Sequence, residues 1–287
     1  MNLMRHISAG YMLALPIALI CHSLTGQGLN PELLTKPATN AWPTYNGDYS
    51  GRRFSILDQI NQSNIRGLSL AWVFRANSGP GFRSIIGGEG PMPEAGAPSP
   101  GAAFGGVSIK ATPLMVNGIL YFATPDDAWA IDAHSGHELW HYFWKTTGGI
   151  HIGNRGVGMY DNWIYFETPD DYLVSLDATT GKERWHQHIA DVKQEYFSTP
   201  APMVIGNHVL IGIGGDSLDV PGFLEARDPE TGAVQWKWWS EPLKKGDPGS
   251  ESWPDEYSMR HGGGMTWMPG TYDPALHLYY LGTGNPN

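Results

Sequence analysis

The chain has 287 residues, among them 37 Gly, 22 Pro, 12 Trp and 13 Tyr, and only 16% are charged. That composition describes many short strands joined by turns and excludes a protein built on long amphipathic helices. A formal net charge of −10 with no basic stripe excludes nucleic acid and anionic membrane surfaces as primary partners, because nothing is available to neutralise phosphates.

Met1 to about Gly26 has the pattern of a secretory signal. Arg5 and His6 precede the apolar run Tyr11 to Ile20, and Ser23, Thr25 and Gly26 follow it. The run is too short to span a bilayer. The single cysteine, Cys21, follows Leu19-Ile20, a poor lipoprotein signal. Cleavage is therefore expected, giving a periplasmic or secreted chain of residues 27–287 that can form no disulfide and no covalent c-type haem.

Trp42-Pro43-Thr44-Tyr45-Asn46-Gly47 opens the folded part, and Ile65, Leu68 and Trp72 predict a short helical turn feeding a strand. Residues 76–106 are rich in Gly, Pro and Ala without a period of 2 or 3.6, so a long surface loop is expected there, either a lid or a disordered stretch.

From Val107 the strands come regularly. The predicted set is Ile109–Val116, Ile119–Ala123 and Trp129–Asp132, then Gly156–Tyr160, Trp163–Glu167 and Tyr172–Asp177, then Ala201–Ile205, His208–Ile213 and Gly222–Asp228. Asn117-Gly118, Asp161-Asn162 and Gly206-Asn207 mark hairpin turns between them. Glu241 to His261 is a polar insertion, and Gly262–Pro269 with Leu278–Gly284 begins a fourth unit.

One stretch recurs. Asp177-Ala178-Thr179-Thr180-Gly181 followed by Trp185 has the form of Asp132…Gly136…Trp140 and of Asp228…Gly232…Trp236. The Asp suits a turn because its side chain accepts backbone N–H bonds, and Gly suits it because φ is positive there. The Asp residues lie about 45 and about 50 residues apart, the period of propeller blades rather than of helical repeats. Trp140, Trp185 and Trp236 are expected to pack blade against blade. The predicted fold is an all-β partial arc of about four blades. It leaves apolar faces at its ends, so the chain by itself is expected to be inactive, unstable or oligomeric.

With these motifs in order, the chain resembles the quinoprotein dehydrogenases, eight-bladed β-propellers that use pyrroloquinoline quinone (PQQ) and a bound calcium ion. The likeness runs from about Trp42 to Asn287. It rests on Trp42 to Gly47, Ala111-Thr112-Pro113-Leu114, Asn154-Arg155-Gly156-Val157, the three Asp…Gly…Trp turns, Gly262-Gly263-Gly264-Met265-Thr266-Trp267 and Gly282-Thr283-Gly284-Asn285. The resemblance implies that Arg155 contacts the quinone, that Thr168 donates to a cofactor carboxylate and that the ring lies on Trp267. It makes Asn285 a calcium ligand, places an acidic ligand at Asp216, Ser217 or Asp219, and expects the proton-abstracting Asp beyond Asn287.

The chain departs from the family at three places. Lys110 stands beside the cofactor where the family commonly has Glu. Gly149-Ile150 stand where the family has two adjacent cysteines, and Ser217 falls on its acidic metal ligand.

The expected activity is oxidation of an alcohol or sugar hydroxyl through a PQQ–calcium centre, with electrons passing to a separate acceptor such as a cytochrome. The alternative is a non-redox propeller acting as a binding or scaffold protein. Gly215-Asp216-Ser217-Leu218 and His261-Gly262-Gly263-Gly264 echo hydrolase motifs, but no Gly-x-Ser-x-Gly elbow accompanies them.

Overall fold

The structure, a computed structural model, describes residues 28–76, 109–147, 153–194, 196–214 and 219–285. The signal segment, nearly all of the Gly/Pro-rich stretch, Gly149-Ile150, Asp216 and Ser217 lie outside them.

Three four-stranded antiparallel sheets follow one another along the chain. The first is β1 (Leu114–Val116), β2 (Ile119–Ala123), β3 (Asp127–Asp132) and β4 (Glu138–Phe143). The second is β5 (Gly158–Tyr160), β6 (Trp163–Glu167), β7 (Tyr172–Asp177) and β8 (Glu183–His188). The third is β9 (Met203–Ile205), β10 (His208–Ile211), β11 (Phe223–Arg227) and β12 (Val234–Trp239). A hairpin of β13 (Thr271–Asp273) and β14 (Leu278–Tyr280) begins a fourth. Each sheet is a meander, and β5 approaches β9, so the first strand of each blade faces the axis while β8 and β12 lie outermost. The fold is the predicted partial β-propeller.

The recurring turn behaves as its residues require. Asp177 Oδ1 accepts from Thr179 N at 3.0 Å, Thr180 N at 2.8 Å and Thr180 Oγ1 at 2.8 Å. Asp132 and Asp228 do the same in their blades. Gly181 has φ 68°, and a Cβ on it would meet the Trp140 ring at 2.6 Å. The same contact joins Gly136 to Trp72 and Gly232 to Trp185. Trp140 and Trp185 therefore pack blade on blade, as expected. Trp236 is 40% exposed instead, and among the described residues no turn glycine meets its ring.

Two apolar layers fill the gaps between blades. Tyr121, Trp140, Ile164, Phe166 and Val174 lie between the first and second blades, and Tyr165, Leu173, Val209, Ile211 and Phe223 between the second and third. The alternation along β6, with Ile164 and Phe166 facing one way and Tyr165 the other, is the period of 2 that a strand buried on both faces requires.

The N-terminal segment stitches the arc along its inner edge. Trp42 and Met115 exchange backbone hydrogen bonds at 2.7 and 3.0 Å, Tyr49 OH donates to Val204 O at 2.7 Å, and Tyr272 N donates to Tyr49 O at 2.9 Å. Asn40 to Gly51 thus touches the first, third and fourth blades, which explains an aromatic-rich motif outside any strand. The predicted helical turn is a 3₁₀ turn at Ile65–Gly67, after which Leu68 to Ala76 has no ladder partner among the described residues. The first strand is shorter than predicted, starting at Leu114 rather than Ile109, since residues 110–113 are drawn into the mouth described below. The polar insertion carries a 3₁₀ turn at Ser250–Ser252 and one short helix, α1 (Glu256–Arg260).

Candidate functional site

The blade plan decides where chemistry can gather. Lys110, Arg155 and Trp267 each stand a few residues before the innermost strand of a blade, and Thr168 and Asn285 each follow a second strand. In a meander blade both connections emerge on the same side of the ring, so these residues share one face. Hydrogen bonds tie the connections together: Thr112 N donates to Arg155 O at 2.9 Å and Arg155 N to Thr199 O at 3.0 Å. Gly264 N donates to Asn285 O at 3.0 Å, and Gly284 N to Met265 O at 2.6 Å.

Arg155 is the best-placed group. Its guanidinium lies 4.6 Å over the Trp267 ring, close enough for cation–π attraction, and Nη1 reaches Thr199 O at 3.4 Å. Burial pushes its pKa below the ordinary value, with Tyr45 opposing. Asn154, itself buried, fixes the loop. Its Nδ2 donates to Glu167 O at 2.8 Å, and its Oδ1 accepts from Gly156 N at 2.7 Å.

Lys110 is beside it. The lysine stem crosses Gly153, where a Cβ would meet Cδ at 2.5 Å, so only glycine leaves room. Partial desolvation and then the Arg155 charge hold the ammonium below its usual pKa. A third cation escaped sequence reasoning. Arg53 Nη2 donates to Thr112 Oγ1 at 3.1 Å, Nη1 donates to Asn46 Oδ1 at 3.3 Å, and the guanidinium lies 4.9 Å from the Tyr45 ring. Its φ of 50° is a conformation few arginines adopt. Among the described residues, Arg53, Lys110 and Arg155 form no ion pair.

The remaining predicted residues are placed differently. Thr168 is fully buried; its Oγ1 donates to Asp170 Oδ1 at 2.7 Å and accepts from Tyr172 N at 3.0 Å, so the hydroxyl is committed to its own turn. Asn285 is exposed near Gly264. Asp219 is exposed and pairs with His261 Nδ1 at 2.7 Å. Among the described residues no three carboxylate, imidazole or thiol groups converge as a metal centre would need. The donor set fits a planar polycarboxylate, with an indole face and unpaired guanidinium and ammonium groups, better than it fits a divalent cation.

Sequence reasoning also passed over His137-Glu138-Leu139-Trp140-His141, the spacing of a zinc protease helix. Most of it lies on β4, and two residues four apart on a strand stand roughly 13 Å apart, too far to share a metal. His141 is engaged otherwise, stacked on Trp129 at 4.7 Å and bonded to Asp127 Oδ1 at 2.7 Å.

Fold and mouth together define a repeat propeller with an electropositive, indole-floored site at the inner ends of its blades. Residues 42–287 match the family described as PQQ glucose/ethanol/alcohol dehydrogenase, β-propeller domain, and the chain belongs to that family. It is 33% identical over 273 residues to quinohemoprotein alcohol dehydrogenase ADH IIB of Pseudomonas putida, covering 88% of this chain and 35% of that protein. The solved quinohemoprotein alcohol dehydrogenase of Comamonas testosteroni superposes with a TM-score of 0.69 at 31% identity, over 90% of this chain and 38% of that one. A europium-containing methanol dehydrogenase gives 0.71 at 29% identity, over 89% and 44%. The chain therefore spans about a third to two fifths of the length of these relatives.

Proposed function

We propose that this chain forms part of an exported, PQQ-dependent oxidoreductase acting on alcohol or sugar hydroxyls and delivering electrons to a separate acceptor such as a cytochrome. The observation that carries the reading is the unpaired Arg155 guanidinium held 4.6 Å over the Trp267 indole. When bound, PQQ with a metal ion supplies a two-electron acceptor and a Lewis acid.

The chain's residues bind and orient. Trp267 offers a wide apolar face to a flat ring, and Arg155 offers a planar donor fork to a carboxylate. Asn154 holds that fork in place through the loop, and Lys110 adds a second positive charge. Asn285, with Asp216, Ser217 and Asp219, is the proposed metal-ligand set, and Thr168 a proposed cofactor contact once its hydroxyl is released from Asp170. The group that takes the hydroxyl proton is proposed to lie outside these residues.

The second reading, a non-redox binding propeller, is favoured by one observation: the Thr168 hydroxyl is already spent within its turn. Reconstitution of the whole protein to which this chain contributes with PQQ and calcium, followed by alcohol-dependent dye reduction, separates the two. PQQ-dependent turnover supports the oxidoreductase. PQQ that binds without any turnover on alcohols or sugars supports the binding protein.

A further inference from the structure

Three cations collect at the mouth of a chain whose net charge is −10. Arg53 and Arg155 are linked through one residue, Thr112, whose Oγ1 accepts from Arg53 while its N donates to Arg155 O. Tyr45 carries the Arg53 guanidinium on its ring and interacts electrostatically with Arg155. Lys110 is fixed by its path across Gly153, two residues from Arg155. None of the three has a carboxylate partner among the described residues, whereas the arginines on the blades do: Arg227 pairs with Glu225 at 2.6 Å and Arg184 with Glu230 at 2.6 Å. Arg53 is moreover held at φ 50°, a strained conformation that persists only where surrounding contacts enforce it.

Like charges gathered without counter-ions repel one another, and that repulsion is relieved when an anion of matching valence enters. The same charges oppose a divalent cation in the same space. We propose that Arg53, Lys110 and Arg155 form a clamp that takes the carboxylates of the quinone cofactor directly, so that cofactor binding does not depend on a divalent metal ion. The proposal rests on the PQQ reading above and adds to it which charges do the binding. Lys110 is the decisive member, because its stem is fixed across Gly153 and its ammonium feels the Arg155 charge.

The test is an equilibrium titration of the purified protein with PQQ, followed by quenching of tryptophan fluorescence, with EDTA in one arm and excess calcium chloride in the other. The unaltered protein is expected to bind equally in both arms, within about twofold. Lys110→Glu is expected to bind at least about tenfold more weakly in EDTA and to recover with calcium, and Arg53→Gln to weaken binding in both arms. Lys110→Met, which keeps the stem over Gly153 and removes only the charge, should show the same loss in EDTA. Binding by the unaltered protein only in calcium would overturn the inference while leaving the PQQ reading intact, as would unweakened binding by both Lys110 variants in EDTA. Absence of PQQ binding in both arms would overturn the PQQ reading and the clamp together.

Discussion

The indole of Trp140 lies flat against Gly181 of the next blade, and its Nε1 donates to Ala178 O at 2.8 Å. One side chain thus both buries a large ring and closes a polar contact across the gap between two sheets. Truncation to Ala is expected to remove about 3–5 kcal/mol of stability. Gly181→Ala combines positive φ with a clash at 2.6 Å and is expected to cost about 2–4 kcal/mol, whereas Gly118→Ala, at φ 78° in open space, should cost only about 1 kcal/mol. Denaturant unfolding of the three variants checks the order, and equal losses at Gly181 and Gly118 would show that the packing is not tight.

Asp171 predicts a pH dependence. Burial, with Asp170 and Asp191 nearby, raises its carboxyl to about 7 against a bond from Ser198 Oγ at 2.8 Å. In the unfolded chain the group ionises near 3.8, so between those values the fold keeps a proton that the unfolded chain has lost. Its contribution is therefore fully present below about 4 and is lost as pH rises through about 7. The melting temperature is expected to fall by roughly 5 °C or more between pH 5 and pH 8. Asp171→Asn, which still accepts from Ser198, should remove part of that fall. A melting temperature that rises over this range would contradict the assignment.

Glu167 is fully buried, and neither carboxylate oxygen has a hydrogen-bond partner among the described residues, the Ser198 hydroxyl being spent on Asp171. Burial raises its pKa well above the ordinary range, against a smaller opposing influence of Ser198. Glu167→Met, of similar length, is expected to stabilise the protein by about 1–2 kcal/mol. Destabilisation in the same unfolding assay would show that the carboxyl has a partner it needs.

Trp236 and Trp238 share one face of β12 and are 40% and 47% exposed. The 287-residue chain by itself is therefore expected to self-associate and to bind an apolar dye. Trp236→Ser with Trp238→Ser should reduce both effects in light scattering and dye fluorescence. A monodisperse, dye-silent chain would mean that this face is covered.

The repeats were legible because turn chemistry is local. Asp132, Asp177 and Asp228 each need only the next few residues to declare themselves, and Trp140 and Trp185 follow at fixed spacing. Arg155 and Trp267 were legible only through the order of motifs, since nothing local marks an arginine that rides on an indole more than a hundred residues away. Arg53 was missed because its segment has no period and its positive φ leaves no trace in residue type. Glu167 was missed because strand alternation says which way a side chain points, not whether a partner waits there. His137 to His141 shows the converse: a motif means something only on the element that makes its residues converge, and β4 is a strand.

A fluorescence titration with PQQ, comparing the unaltered protein with Arg155→Gln and Trp267→Phe, tests whether Arg155 over Trp267 is a quinone site. Saturable quenching at one PQQ per chain is expected. Arg155→Gln should weaken it at least about tenfold, and Trp267→Phe should lose most of the quenching signal. Quenching that is absent, or unchanged in both variants, would contradict the account.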